Sequence, residues 1–301
     1  MVSNLKYTSY KNRLKDTMFR LFLILLLVSC GKHEPKKPTQ VNPDVVAKAE
    51  LYKSLSKGWA HQGGCDSLGF TSLCKLSGGC GEAVITDAEG EPGRWYRNPG
   101  KRCYDDGQSK SDISKDMFIM LLPYLYASND QQNIKEIYAY GQKNGWVMGR
   151  GPLSRTFLTP PLVFLIEQML GRWKVEVQIK ETTKAGYEKH LDAIYLISKW
   201  MVNGSIDSLQ YEQIKKYKDE NPSNALMQAI YHKFSDGDQS DTIAILLDES
   251  LFPRDRLPTA KDRCEEYLWQ RDYGDDWKPC NSDKMHDGVD FLIAAFVAGQ
   301  I

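Results

Sequence analysis

The chain has 301 residues, with 39 basic side chains balanced by 39 acidic ones, 42% hydrophobic and 11% aromatic residues, 23 glycines and 13 prolines. This is a globular composition, and it excludes a collagen-like or wholly disordered chain. The absence of a basic excess argues against a nucleic-acid partner, and the length allows one large domain or two small ones.

Leu21 to Val28 is an unbroken apolar run, preceded by Arg20 and followed by Ser29-Cys30. It is too short for a transmembrane helix, which needs about 20 apolar residues, but suits the h-region of a signal peptide. Its end, Leu27-Val28-Ser29-Cys30, resembles the bacterial lipobox, and this resemblance implies acylation of Cys30 as the mature N-terminus. Residues 1–29 then read as a signal peptide, with Met18 an alternative start, and the partner of Cys30 is a lipid bilayer. Each buried methylene of an acyl chain contributes about 0.8 kcal/mol to anchoring. The expected location is the bacterial cell envelope, at the outer membrane, on its periplasmic or surface face. Removing residues 1–29 leaves a net charge of −4, so recruitment to polyanions is not expected. Residues 30–43 are rich in Lys and Pro and read as a tether.

Six further cysteines, Cys65, Cys74, Cys80, Cys103, Cys264 and Cys280, suggest three disulfides in an exported chain. Cys264 and Cys280 are the natural local pair; the other four would pair among themselves. A zinc site with His61 is the rival reading. The spacing lacks a close Cys-x₂-Cys pair, so no metal and no cofactor are expected.

A helix is expected from Pro43 to about Gly58. Residues 61–110, rich in glycine and holding four cysteines, read as a stapled cap or insertion of loops, with possible strands at Ala83–Thr86 and Arg94–Arg97. From about 111 onward helices dominate: 112–127, a second ending at Asn144-Gly145, then 160–172, 185–202, 206–219, 222–235, 238–249, 261–270 and 286–299. Short connections imply helical hairpins. Residues 44–301 are expected to form a single helical domain.

Three stretches could carry chemistry. Asp106, Asp112 and Asp116 lie just before or within an apolar helix, and Asp112 and Asp116 share a face if both are helical. Paired carboxylates are what glycosidic hydrolysis requires, although Asp and Ser also cap helices. Between two helices, Trp146 could stack on a sugar face while Arg150 and Arg155 bind hydroxyls or a carboxylate; the alternative is a packed loop anchored by its Trp. His286 and Asp290, four apart, could add to a polar site or form a structural pair. There is no Gly-x-Ser-x-Gly elbow, phosphate-binding glycine loop or His-Glu-x-x-His.

The segments Ser114-Lys115-Asp116-Met117-Phe118, Asn144-Gly145-Trp146-Val147-Met148-Gly149 and His286-Asp287-Gly288-Val289-Asp290-Phe291-Leu292 resemble the (α/α) toroid proteins, the six-hairpin glycosidases and their relatives. The resemblance implies a mostly α fold of helical hairpins in a toroid-like array over residues 111–301, with acids at one end of the inner helices. It also implies a sugar groove lined by loops. The expected function is an anchored lipoprotein that binds a polysaccharide or other cell-envelope glycan, with paired Asp carboxylates that could hydrolyse it. Asp116 would be the first acid/base group, with Asp112 or Asp106 as its partner. The alternative is a non-catalytic binding or scaffolding lipoprotein of the envelope.

Overall fold

The computed structural model describes residues 40–60, 67–101, 113–150, 155–172, 189–235, 237–255 and 288–301. Cys30, Asp106, Asp112, His286, the cysteines 65, 103, 264 and 280, and the helix expected at 261–270 lie outside the described residues. The described chain is mostly helical. Its ten α-helices are α1 (Pro43–Leu55), α2 (Ser67–Leu76), α3 (Lys115–Ala127), α4 (Gln131–Lys143), α5 (Pro160–Met169), α6 (Lys189–Asn203), α7 (Ser208–Glu220), α8 (Ala225–Phe234), α9 (Ser240–Leu247) and α10 (Val289–Val297). An antiparallel hairpin, β1 (Val147–Arg150) and β2 (Arg155–Phe157), joins α4 to α5. None of these helices is long and apolar enough to cross a membrane.

The helix starts follow from their capping residues. Asn42 Oδ1 accepts the Asp44 N–H at 2.9 Å ahead of Pro43 in α1. Asp207 and Gln210 form a reciprocal capping box at α7, and Asn224 caps α8 by accepting the Met227 N–H at 3.1 Å. Each supplies an acceptor to amide groups that have no partner within the helix.

The helices divide into two kinds. In α2, α3, α6, α8 and α10 buried residues occur all round, as in the runs Met117–Pro123, Ala225–Ile230 and Val289–Ala295. In α1, α4, α5, α7 and α9 burial is confined to a stripe, as with Val45, Ala49 and Tyr52 or Ile134, Ile137 and Tyr138. A helix apolar all round needs neighbours on every side, whereas an amphipathic one needs a single face covered. The contacts agree with this division. α2 packs on α3, α3 on α6, α6 on α8, α8 on α10, and α10 returns to α2. The amphipathic helices lie against these five or against one another.

The stretch 61–110 differs from the loop-rich cap expected of its composition. It contains α2, seven of whose ten residues are buried, packed against α3 and α10. Gly69 permits this approach, since a Cβ there would lie 3.0 Å from Met120. A disulfide joins Cys74 at the end of α2 to Cys80, within the set of four expected to pair among themselves. Ile85–Ala88 is a 3₁₀ turn, and Trp95 bridges Glu89, in place of the two strands expected there.

Candidate ligand-binding groove

Three helices end at one place. α3 closes in a Schellman motif, with Asn129 at φ 55° and the Asp130 N–H bonded to the Leu125 carbonyl at 2.9 Å. α5 closes the same way, with Gly171 at φ 67° and Arg172 N–H on the Glu167 carbonyl at 3.0 Å. α6 stops in a left-handed turn at Gly204, φ 73°, whose N–H reaches the Trp200 carbonyl at 2.7 Å. These are the expected C-terminal closures of helices, formed where the chain takes positive φ.

Asn129, Gly171 and Gly204 all line an open groove of about 780 Å³. Its aromatic walls are Tyr126 and Trp200, and Met169 and Met201 add apolar surface. Its polar side chains are the amides of Asn129, Gln131 and Gln168. Gln131 Nε2 donates to the Met169 carbonyl at 3.3 Å, and Gln168 Oε1 accepts from Asn203 Nδ2 at 3.4 Å, so two of the three amides are held in place. Among the described residues that line it there is no carboxylate, lysine or arginine.

Charged groups stand at the margin. The Lys233 ammonium lies 4.6 Å from the centre of the Trp200 ring. The Arg172 guanidinium lies 4.2 Å from the Tyr138 ring, and the Tyr138 hydroxyl donates to Glu167 Oε1 at 2.7 Å. That hydrogen bond, reinforced by burial, pushes the Tyr138 hydroxyl above its ordinary pKa. The tyrosine is held as a neutral donor.

Those residues singled out from the sequence that are described lie elsewhere. α3 and α6 pack side by side and both end at the groove, so they run parallel. Asp116 in the first turn of α3 is therefore at the far end from the groove, about 15 Å from Tyr126 along the helix. Its carboxylate accepts a hydrogen bond from the Ser114 hydroxyl. The hairpin is at that same far end, because Thr156 Oγ1 donates to the Ile113 carbonyl at 2.8 Å. Arg150 and Arg155 are register partners in it. The backbone thus brings the start of the Asp116 helix and the two arginine positions to one end.

Trp146 is a packing residue. Its ring lies edge-on to Tyr138, with centroids 5.3 Å apart, and covers Gly141, where a Cβ would approach within 2.5 Å of the indole. Asp290 is 1% exposed in the first turn of α10, and its carboxylate accepts the Phe291 N–H at 3.0 Å. Among the described residues no group of three His, Cys, Asp or Glu side chains is gathered to hold a metal ion.

Comparison with family models, with curated proteins and with solved structures finds no match. The site therefore rests on its own geometry. Sequence reading passed over Tyr126 and Trp200 because both fall within apolar helical runs, where an aromatic residue reads as core. The available signal was positional: each stands within four residues of a left-handed Asn or Gly that ends its helix.

Proposed function

We propose that this chain is an anchored envelope lipoprotein that binds a glycan at the groove between the ends of α3, α5 and α6, without cleaving it there. One observation carries the reading: two aromatic side chains and three carboxamides line an open groove in which the described residues place no carboxylate, lysine or arginine. Aromatic faces cover the C–H faces of sugar rings, and carboxamides offer donor and acceptor together to hydroxyl groups. Hydrolysis needs a protonated and an ionised carboxyl flanking the bond, and the described lining residues supply neither. This favours the binding form of the function over the hydrolytic one.

The anchor is argued from the apolar run Leu21 to Val28 and the Ser29-Cys30 that follows it. A toroid-like array is the architecture we infer, in a five-membered form. It is supported by the closed circuit of contacts through α2, α3, α6, α8 and α10 and by the amphipathic helices around it.

The test uses the full chain in detergent micelles with neutral oligosaccharides and peptidoglycan fragments. Calorimetry reads binding and mass spectrometry reads products. Binding without fragments, lost in Trp200→Ala and kept in Asp116→Asn, is the expected result. Fragments that disappear in Asp116→Asn would return the chemistry to the far end of α3. Incorporation of labelled palmitate, lost in Cys30→Ser, tests the anchor.

A further inference from the structure

The described side chains of the groove wall carry no formal charge, but the helix ends around it set up a field. Three helices of 13, 10 and 15 residues point their C-terminal ends at it. The C-terminus of a helix carries roughly half a negative charge, because its last carbonyls have no partner within the helix. Schellman bonds satisfy some of these carbonyls in α3 and α5, yet the peptide dipoles stay aligned. Asp130, the residue after Asn129, caps the N-terminus of α4, which opens at Gln131 in the same lining, and its carboxylate offsets the positive end of that helix. Its two oxygens are held by the Asn133 backbone and side chain at 3.1 and 2.7 Å.

The aromatic wall has the same preference. Ring faces attract cations through their quadrupole. Trp200 already carries one, the Lys233 ammonium at 4.6 Å. The wall is therefore partly countered by a cation of the chain itself, and a ligand cation must share the ring with it.

We propose that the groove selects a glycan bearing a protonated primary amine, an amino sugar with its nitrogen unacetylated, the ammonium directed to the converging ends of α3, α5 and α6. This rests on the glycan reading above and adds the substituent. The sugar ring lies against Tyr126 and Trp200, the carboxamides of Gln131 and Gln168 take hydroxyls, and the ammonium meets the helix carbonyls. Acetylation of that nitrogen removes the charge and the preference with it.

The experiment compares three β-1,4-linked tetrasaccharides that differ at the second carbon of each ring: the tetramers of glucosamine, N-acetylglucosamine and glucose. Each is titrated into the full chain in detergent micelles by calorimetry, at low and at raised salt, with tetramethylammonium as a bare cation. The glucosamine tetramer is expected to bind about tenfold more tightly than the other two at low salt, three helix ends each contributing a modest term. Salt should narrow that gap as it screens the field. Lys233→Gln should widen the ratio of amine to neutral affinity, because it removes the competing cation. Equal affinity for all three sugars overturns the amine preference and leaves the glycan reading standing. Response to tetramethylammonium with no sugar bound overturns the glycan reading and this inference with it, as does no binding of any probe.

Discussion

The Lys48 ammonium lies 3.2 Å from Glu249 Oε1, across 201 residues of sequence, and the two ends of this ion pair meet very different surroundings. The lysine side chain is wholly buried and lies over the Phe291 ring, 5.9 Å from its centre. The glutamate is half exposed and is shared with Arg254 at 2.9 Å. One turn further along α1, the Tyr52 hydroxyl donates to the Pro253 carbonyl at 2.9 Å. The segment after α9 is therefore pinned to α1 at two points.

The asymmetry predicts an order of mutational effects. Burial holds the Lys48 amine below the ordinary lysine range, since the charged form loses its water. Lys48→Met removes that buried charge, fills the same space, and should change stability by less than about 1 kcal/mol. Glu249→Gln leaves the ammonium buried with a weaker partner and should cost about 1–2 kcal/mol. Urea unfolding of both variants gives the order; a larger loss in Lys48→Met would contradict it.

His232 predicts how stability depends on pH. Burial pushes its imidazole below 6.5, helped by the Lys218 charge and opposed by Asp241, whose Oδ2 lies 3.6 Å from Nε2. The folded chain therefore binds fewer protons at this site than the unfolded chain just below pH 6.5. The stabilisation is present above that pH and is lost as pH falls through the depressed folded value. His232→Gln should flatten this segment of the stability–pH curve while leaving the carboxylate-driven acid limb. Chemical denaturation at half-unit pH steps reads the difference.

These two sites show what the sequence could not carry. Helix positions were legible from apolar periodicity and punctuation. The left-handed closure of α4 is read directly from Asn144-Gly145, and Gly145 has φ 60°. Partnerships between distant segments were not legible, since nothing in local composition links Lys48 to Glu249. α2 was obscured because its glycine and cysteine neighbours suggest loops, while Leu68, Phe70 and Leu73 supply a core helix. Asp116 was legible as a polar residue at the start of an apolar helix. Which end of the molecule holds the groove depended on where three helices stop.

The Cys74–Cys80 disulfide closes a loop with a sequence separation of only 6, and both residues are buried. A short loop restricts the unfolded chain modestly, so the chain-entropy estimate for this bridge is about 2 kcal/mol. The double variant Cys74→Ala, Cys80→Ala should lose about that much and still fold, because α2 keeps its contacts with α3 and α10. Equilibrium unfolding of the variant measures the loss. Failure to fold would mean that the bridge does more than limit the unfolded state.

Gly93 sets a steeper requirement. It sits at φ 78°, and a Cβ there would overlap the Glu136 carbonyl oxygen on α4. Burial pushes the neighbouring Glu89 carboxyl above the ordinary range, although the Gly93 N–H donates to it at 2.7 Å. Gly93→Ala meets both an unfavourable backbone conformation and a backbone clash. The expected loss is about 2–4 kcal/mol, and the melting temperature should fall accordingly.

Two tryptophans separate packing from binding. The Trp146 ring is tied to Tyr138 and Gly141, and its backbone N–H, which the substitution leaves in place, donates to the Gly141 carbonyl at 2.7 Å. Trp146→Ala should lower stability by about 2–3 kcal/mol, less than for a fully buried indole, and should leave ligand affinity unchanged once the variant is folded. Trp200 lines the groove with one ring region engaged by Lys233. Trp200→Ala removes the stacking surface and should weaken glycan binding at least tenfold, with a smaller cost in stability. Thermal unfolding and titration calorimetry on the same two proteins read both axes. If Trp146→Ala abolished binding while Trp200→Ala did not, the ligand would belong at the hairpin end of the molecule, beside the start of α3, and not in the groove.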